Sequence, residues 1–220
     1  MFPFPFSFVA PTASGLADID NVYSMEFDGV DDYFDLGSGL DYFDYESGSY
    51  TVSCWTNWTV KSFSKPILNF GANNFKFGLF GAPGNATQGQ GNGMSISIFK
   101  GGNQKVVVYN WYNPGVTLND GNWHHICVVV NQNAAIPTYE IYIDADNSGS
   151  GSGTGLPIAA NNTISGSTKF FAGKVDEVAV FDYALDSGQI DEIYNATSTG
   201  KTADLSDMAT PPVAWYRMGD

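Results

Sequence analysis

Apolar and polar residues alternate in short runs along most of this chain, with the two-residue period of half-buried strands. The run 49–60 is the clearest: Tyr50, Val52 and Cys54 fall on one face, and Thr51, Ser53 and Trp55 on the other. Further strand-like runs are predicted at 23–27, 33–36, 66–70, 75–80, 94–99, 105–111, 123–131, 139–144 and 169–181. Turn signals separate them, among them Gly71-Ala72-Asn73-Asn74 and Asp120-Gly121. Gly101-Gly102-Asn103 predicts a hairpin between the fifth and sixth of these interior runs. Residues 81–93, rich in Gly, Asn and Gln, predict a loop, and 148–155, where Ser or Thr alternates with Gly, predict a mobile tip.

Near the start, Phe27-Asp28-Gly29-Val30-Asp31-Asp32-Tyr33-Phe34-Asp35-Leu36-Gly37 predicts a strand, an Asp-Gly turn and a second strand, that is, a hairpin. Four carboxylates crowd that turn, and their repulsion asks for water or a cation between them. Only one segment has a convincing helical period. Asp186 and Gln189 fit a capping box, and Ile190, Ile193 and Tyr194 then line one face. Many short strands, frequent Gly and Asn turns and one helix predict an all-β protein: a two-sheet antiparallel jelly-roll sandwich with one short helix.

Composition sharpens this picture. Of 220 residues, 43% are hydrophobic and 15% aromatic, enough to fill one large β core. Acidic residues outnumber basic ones 23 to 9, a net charge of −14, which opposes binding to nucleic acid and to anionic membranes. No apolar run is long enough for a transmembrane helix. Two cysteines, Cys54 and Cys127, sit inside predicted strands among apolar neighbours and are expected as buried free thiols, with a bridge between neighbouring strands as the alternative. The first eleven residues alternate Phe and Pro and lack the basic start of a secretory signal. Residues 1–20 are expected as an extended docking arm in which Phe2, Phe4, Phe6 and Phe8 meet a partner chain. Residues 21–198 form the sandwich, and 199–220 are either a closing strand or the start of a further repeat.

Three segments in order resemble laminin G-like domains of the concanavalin A-like lectin/glucanase superfamily. They are Met25-Glu26-Phe27-Asp28-Gly29-Val30-Asp31-Asp32-Tyr33, the Gly121-Asn122-Trp123-His124-His125 run with its apolar strand, and Gly173-Lys174-Val175-Asp176-Glu177-Val178 leading to the helix. The last run, with Trp215-Tyr216-Arg217-Met218-Gly219-Asp220, is similar to runs in virion proteins of marine bacteriophages. This second resemblance implies a non-enzymatic structural virion protein, an appendage, fibre or decoration subunit that contacts host glycans and assembles as a homo-oligomer. A stand-alone lectin module, extracellular rather than virion-borne, is the alternative, and a glycan hydrolase the third reading.

The family resemblance also implies a structural Ca²⁺, with Asp28, the Gly29 carbonyl, Asp32 and Asp176 as its oxygens. Asp144-Ala145-Asp146-Asn147-Ser148-Gly149 echoes half of a calcium loop but has Gly155 where the closing Glu belongs, so a polar hairpin tip is expected there instead. For sugar stacking, Trp111 and Tyr112 are the first candidates, with Trp55, Trp58 and Tyr109 behind them. The glucanase carboxylate pair has only Glu140 near its place, so no catalysis is expected. His124 and His125, adjacent on one strand, face opposite ways and cannot share a metal; one of them is expected buried and hydrogen-bonded.

Overall fold

The computed structural model describes residues 15–36, 48–59, 65–70, 77–81, 94–100, 103–111, 117–132, 138–152, 163–164, 170–196 and 200–219; in the strands between 65 and 111 it describes backbone, with side chains only at Ile67 and Leu68. The larger sheet has the order β11 (Asp146–Ser152), β10 (Thr138–Ile143), β9 (His124–Asn131), β4 (Ser49–Asn57), β13 (Ala172–Phe181). The free edge of β13 is shared by β2 (Met25–Asp28) at 172–175 and by β15 (Ala214–Tyr216) at 178–180. The smaller sheet runs β3 (Phe34–Asp35), β12 (Thr163–Ile164), β5 (Lys65–Phe70), β6 (Phe77–Gly81), β7 (Met94–Lys100), β8 (Asn103–Trp111). A third, two-stranded pairing joins β1 (Asp18–Asp20) to β14 (Lys201–Ala203). Every pairing is antiparallel, as in the sandwich that the alternating pattern predicts.

The core between the sheets takes Tyr50, Val52 and Cys54 from β4, Ile126, Val128 and Val130 from β9, and Val175, Val178 and Val180 from β13, packed with Ile67 and Leu68. A second core covers the outer face of the larger sheet. Cys127, Ala179 and Phe181 meet Ile190 and Ile193 of α1 (Ser187–Asn195) and Leu205 of a short 3₁₀ turn (Leu205–Asp207). Thus Thr51 and Ser53, which alternation sends outward, are as buried as their apolar neighbours. Thr51 Oγ1 is satisfied there, donating to the Tyr183 carbonyl (2.9 Å) and accepting from the Leu185 N–H (3.0 Å). Cys54 lies opposite Ile126, and Cys127 opposite Ser53, so the two thiols occupy different faces and remain free. Helix α1 starts as the capping box predicts: Asp186 accepts from the Gln189 N–H (2.9 Å) and Gln189 accepts from the Asp186 N–H (3.1 Å).

Two sequence expectations change. The Asp28-Gly29 turn closes no hairpin. It carries the chain from β2 in one sheet to β3 in the other, because β2 pairs with β13 and β3 with β12. The turn chemistry itself is as expected. Gly29 has φ 79°, and Asp28 Oδ1 accepts from the Val30 N–H at 2.7 Å. The turn packs closely on β13, where a Cβ at Gly29 would lie 2.8 Å from that of Ala172. Second, β11 continues to Ser152, so 148–152 is an edge strand rather than a mobile tip; its Ser and Gly residues lean on β10 through backbone pairing. As the hairpin reading of 144–149 expects, Asp144-Ala145 is a two-residue hairpin turn, with Ile143 opposite Asp146 and both central residues at positive φ (51° and 66°). The hairpin of β7 and β8 forms as predicted. The loop expected at 81–93 lies outside the described residues from 82 onward. Among the described residues no helix is long and apolar enough to cross a membrane.

Candidate functional site

On the outer face of the larger sheet, Trp55 of β4 stands between His125 of β9 and Asp176 of β13 in register. Its indole stacks on Tyr194 of α1, with centroids 5.7 Å apart and planes at 13°, and His125 lies 5.2 Å away. These neighbours fix one face of the ring. Beside it opens a cleft of about 270 Å³. The sheet contributes Trp55 and Asp176, and the loop before β9 contributes Trp123. The remaining wall comes from two segments far apart in sequence, 21–24 and 200–202. They are joined by the pairing of β1 with β14 and by the Asn21 N–H donating to the Gly200 carbonyl at 2.8 Å. Trp123 and Tyr23 remain 38% and 64% exposed, so their faces are available to a ligand.

A bulge in β13 holds this wall together. Val175 and Val178 both point into the core between the sheets, and the pairing with β4 shifts register between Asp176 and Ala179. Two consecutive acids are thereby turned away from that core, with Glu177 at φ 47°. Glu177 Oε1 accepts from Asn21 Nδ2 (3.1 Å), Thr202 Oγ1 (3.0 Å) and Arg217 Nε (3.4 Å), and its Oε2 accepts from Trp215 Nε1. One buried carboxylate so ties both strand ends of the cleft to the sheet. Burial pushes its pKa above the ordinary carboxylate range, against the lowering by its donors Trp215, Thr202 and Arg217.

The Trp123 loop is braced from the other side. His124 Nδ1 lies 2.8 Å from Asp144 Oδ2 and Nε2 3.3 Å from Asp120 Oδ1, while Asp144 Oδ1 accepts from the His125 N–H (2.9 Å). Asp144, half of the supposed calcium loop, is therefore a clamp on β9. Of the two histidines, one of which is expected inside, His125 is the buried one, with Nε2 2.8 Å from Ser53 Oγ.

The predicted site residues separate. Asp28, Asp31 and Asp32 are exposed and bring ligand atoms within 4.8 Å of one another. Asp176 is not among them: Asp28 faces Ala172, four residues back along β13, and Asp176 lies at the cleft instead. Asp28 Oδ1 accepts from the Val30 N–H and Asp32 Oδ2 from the Asp28 N–H, so the turn holds these carboxylates in place. Trp58, a stacking candidate, is 2% exposed and packs edge-on against Phe171, so it is core. Trp111 ends β8 opposite Met94, but its side chain, Tyr112 and the arm residues Phe2, Phe4, Phe6 and Phe8 lie outside the described residues. Glu140 accepts from Tyr142 Oη at 2.8 Å on the outer face of β10. Tyr23, Trp123, Asn21, Lys201 and Thr202 carry no local signal for a site. The one usable sign was Asp176-Glu177 inside an apolar strand run, since paired acids there require a bulge or a buried network.

A laminin G family model of the Concanavalin A-like lectin/glucanases superfamily matches residues 28–191. The chain belongs to this superfamily. Among solved structures sharing the superfamily sandwich is a putative carbohydrate binding protein from Bacteroides ovatus (TM-score 0.51, 14% identity, 94% of this chain and 53% of that one). Another is the CBM40 of a Ruminococcus gnavus sialidase bound to α2,3-sialyllactose (TM-score 0.52, 9% identity, 82% and 99%). A third is botulinum neurotoxin type C, whose cell entry is described as dependent upon interaction with two ganglioside molecules (TM-score 0.52, 12% identity, 84% and 47%). The chain thus spans about half the length of the first and third of these. At such identities the likeness establishes the superfamily fold. No curated protein matches the chain.

Proposed function

We propose that this chain is a non-catalytic glycan-binding module whose site is the cleft framed by Trp55, Trp123 and Tyr23. The observation that carries the reading is an exposed aromatic pair beside polar side chains held in fixed positions by Glu177. Sugars are bound by such a combination: a flat apolar face for the ring and a few oriented polar groups for its hydroxyls. The sandwich it shares with the carbohydrate binding protein and the CBM40 above is consistent with this use. Binding without catalysis is supported by the lining, whose described residues include one acid, Asp176, where glycoside hydrolysis uses two carboxyl groups about 5–9.5 Å apart. The test is a glycan array followed by calorimetry. Trp123→Ala is expected to weaken binding at least about tenfold, with the melting temperature kept and Trp111→Ala silent. Binding that survives Trp123→Ala and falls with Trp111→Ala would move the site to β8.

Calcium belongs to the same reading, held at the turn by Asp28, Asp31 and Asp32 with water completing the shell. Chelation should lower the melting temperature of the wild type, and Asp31→Asn/Asp32→Asn should abolish that response. The finer setting, a virion surface with homo-oligomeric assembly, is supported by the net charge of −14 and the resemblance of the last residues. Mass photometry of the full chain and of a variant lacking residues 1–11 tests it. Assembly lost on deletion is expected, and a chain that is monomeric in both forms refutes it.

A further inference from the structure

The loop that carries Trp123 into the cleft is tied at both ends, and one of the ties depends on a proton. At the near end Gly121 is fixed to the end of β4, its N–H donating to the Trp58 carbonyl (3.1 Å) and its carbonyl accepting from Asn57 Nδ2 (2.6 Å). Asp120 folds the turn on itself: Oδ1 accepts from the Asn122 N–H (2.7 Å) and Oδ2 from Asn122 Nδ2 (2.9 Å). At the far end, His124 follows Trp123 directly. Its ring reaches Asp120 on one side and Asp144, in the turn between β10 and β11, on the other. Asp144 is itself locked to β9, its N–H donating to the His125 carbonyl (2.9 Å) and its Oδ1 accepting from the His125 N–H. His124 thus pins the turn before Trp123 to a fixed corner of the sheet.

An ionised carboxylate only accepts, so both ring nitrogens must carry hydrogens for both contacts to be hydrogen bonds. That form is the imidazolium. A neutral ring has one N–H, which stays on the closer partner, Asp144 at 2.8 Å, and leaves a lone pair facing Asp120 at 3.3 Å. Loss of the proton therefore breaks the contact that closes the Trp123 turn. Among the described residues, Asp120 and Asp144 are the charged groups that act on the ring. Opposite it on β4 stands Thr56, which does not titrate, and His125 beside it on β9 is held neutral by burial, with a pKa of about 4. The hydrogen bond with Asp144 is the largest effect on His124 and raises its pKa above the ordinary 6.5; burial opposes this and Asp120 adds to it. The pinned form thus prevails in acid and is lost as pH rises through that elevated value.

We infer that His124 is a positioning residue for the cleft: as an imidazolium bridging Asp120 and Asp144 it holds the Trp123 face in place, and sugar affinity falls when the proton leaves. The step rests on the glycan reading above. An indole 38% exposed stacks well on a ring only when its orientation is set beforehand, because ordering it during binding costs affinity.

The experiment has one arm without sugar and one with it, both on the full chain between about pH 6 and about pH 9. In the first, the Trp123 indole N–H is followed by NMR, assigned through Trp123→Phe, together with hydrogen exchange over residues 118–123 corrected for the intrinsic pH dependence. The wild type should show the indole signal moving, and loop protection falling, with the midpoint of the His124 ring itself, above 6.5. His124→Gln should give flat profiles. In the second arm, immobilised oligosaccharides with galactose, glucose, N-acetylhexosamine and sialic acid termini are read at both ends of the range. Whichever terminus binds should be held at least about threefold more weakly at the alkaline end, the scale of a partly exposed ion pair, with no such change in His124→Gln. A Trp123 loop indifferent to the His124 titration overturns the inference, and the wild type alone suffices to show it. A loop that responds while sugar binding stays level across the range also overturns it and leaves glycan binding standing. A folded protein that binds no member of the panel at either pH overturns the glycan reading, and the inference with it.

Discussion

Removing or charging the buried imidazole of His125 should expose a proton-linked stability term of known sign. The ring is fully buried beside Trp55 (5.2 Å) and Tyr194 (6.2 Å), with Nε2 bonded to Ser53 and Nδ1 without a partner among the described residues. Burial lowers its pKa from the ordinary 6.5 to about 4, and the negative charge of Asp144 only partly offsets this. The folded state therefore resists a proton that the unfolded chain accepts. Stability from this group is fully present above 6.5 and is lost as pH falls toward about 4. The separation of the two values corresponds to about 3 kcal/mol, a large share of the stability of a typical domain. Urea denaturation followed by tryptophan fluorescence would measure it, across pH, in the wild type and in His125→Gln. The amide keeps a partner for Ser53 but does not titrate. Carboxylates common to both proteins cancel in the difference, so the wild type should lose about 3 kcal/mol relative to the variant between neutral pH and pH 4. Direct titration of the imidazole by NMR should give a midpoint near 4. Parallel stability curves, with an imidazole titrating at its ordinary value, would refute the reasoning.

His124, the next residue back, should behave with the opposite sign. Its pKa is raised, first by the hydrogen bond with Asp144, so its contribution is present below 6.5 and disappears as pH climbs through the elevated folded value. Melting temperatures of His124→Gln and wild type should differ in mildly acidic buffer and converge in alkaline buffer. Ala145 sits at φ 66° in the tight turn between β10 and β11, a region that costs a side-chain-bearing residue about 1–2 kcal/mol. Ala145→Gly should then stabilise the protein by about 1 kcal/mol, raising the melting temperature by about 2–4 °C in calorimetry. Gly173→Ala should do the reverse. Its Cβ would fall 2.6 Å from the Asn57 carbonyl and 2.7 Å from Trp58 Cβ, at φ 152°, for a loss of about 1–3 kcal/mol in urea titration; an unchanged midpoint would contradict the close packing.

The sandwich was legible because its evidence is local. Alternation in β4 and β9, the hairpin of β7 and β8 and the capping box at Asp186 each require only a few neighbouring residues. The second core was not legible, since alternation predicted one buried face and both are buried. Nothing near Thr51 or Ser53 in sequence announces that α1 and the C-terminal segment will cover them. The Asp28-Gly29 turn failed for a related reason. Turn chemistry fixes a local bend but does not choose the sheet in which the next strand finds its partner. The cleft was the least legible part. Its wall joins residues separated by 181 positions through one carboxylate, and the residue that does this, Glu177, reaches them only because of a bulge.

Cys54 and Cys127 lie one register step apart on neighbouring strands yet belong to different layers of packing. Burial raises both thiol pKa values, so neither reacts until its layer opens. A thiol reagent under native conditions consequently meets two separate clocks. Modification at Cys54 times the parting of the sheets, and modification at Cys127 times the lifting of the helix and C-terminal cover. If the cover lifts first, the chain passes through a bare sandwich before it unfolds, and mass spectrometry would catch that species with a single tag.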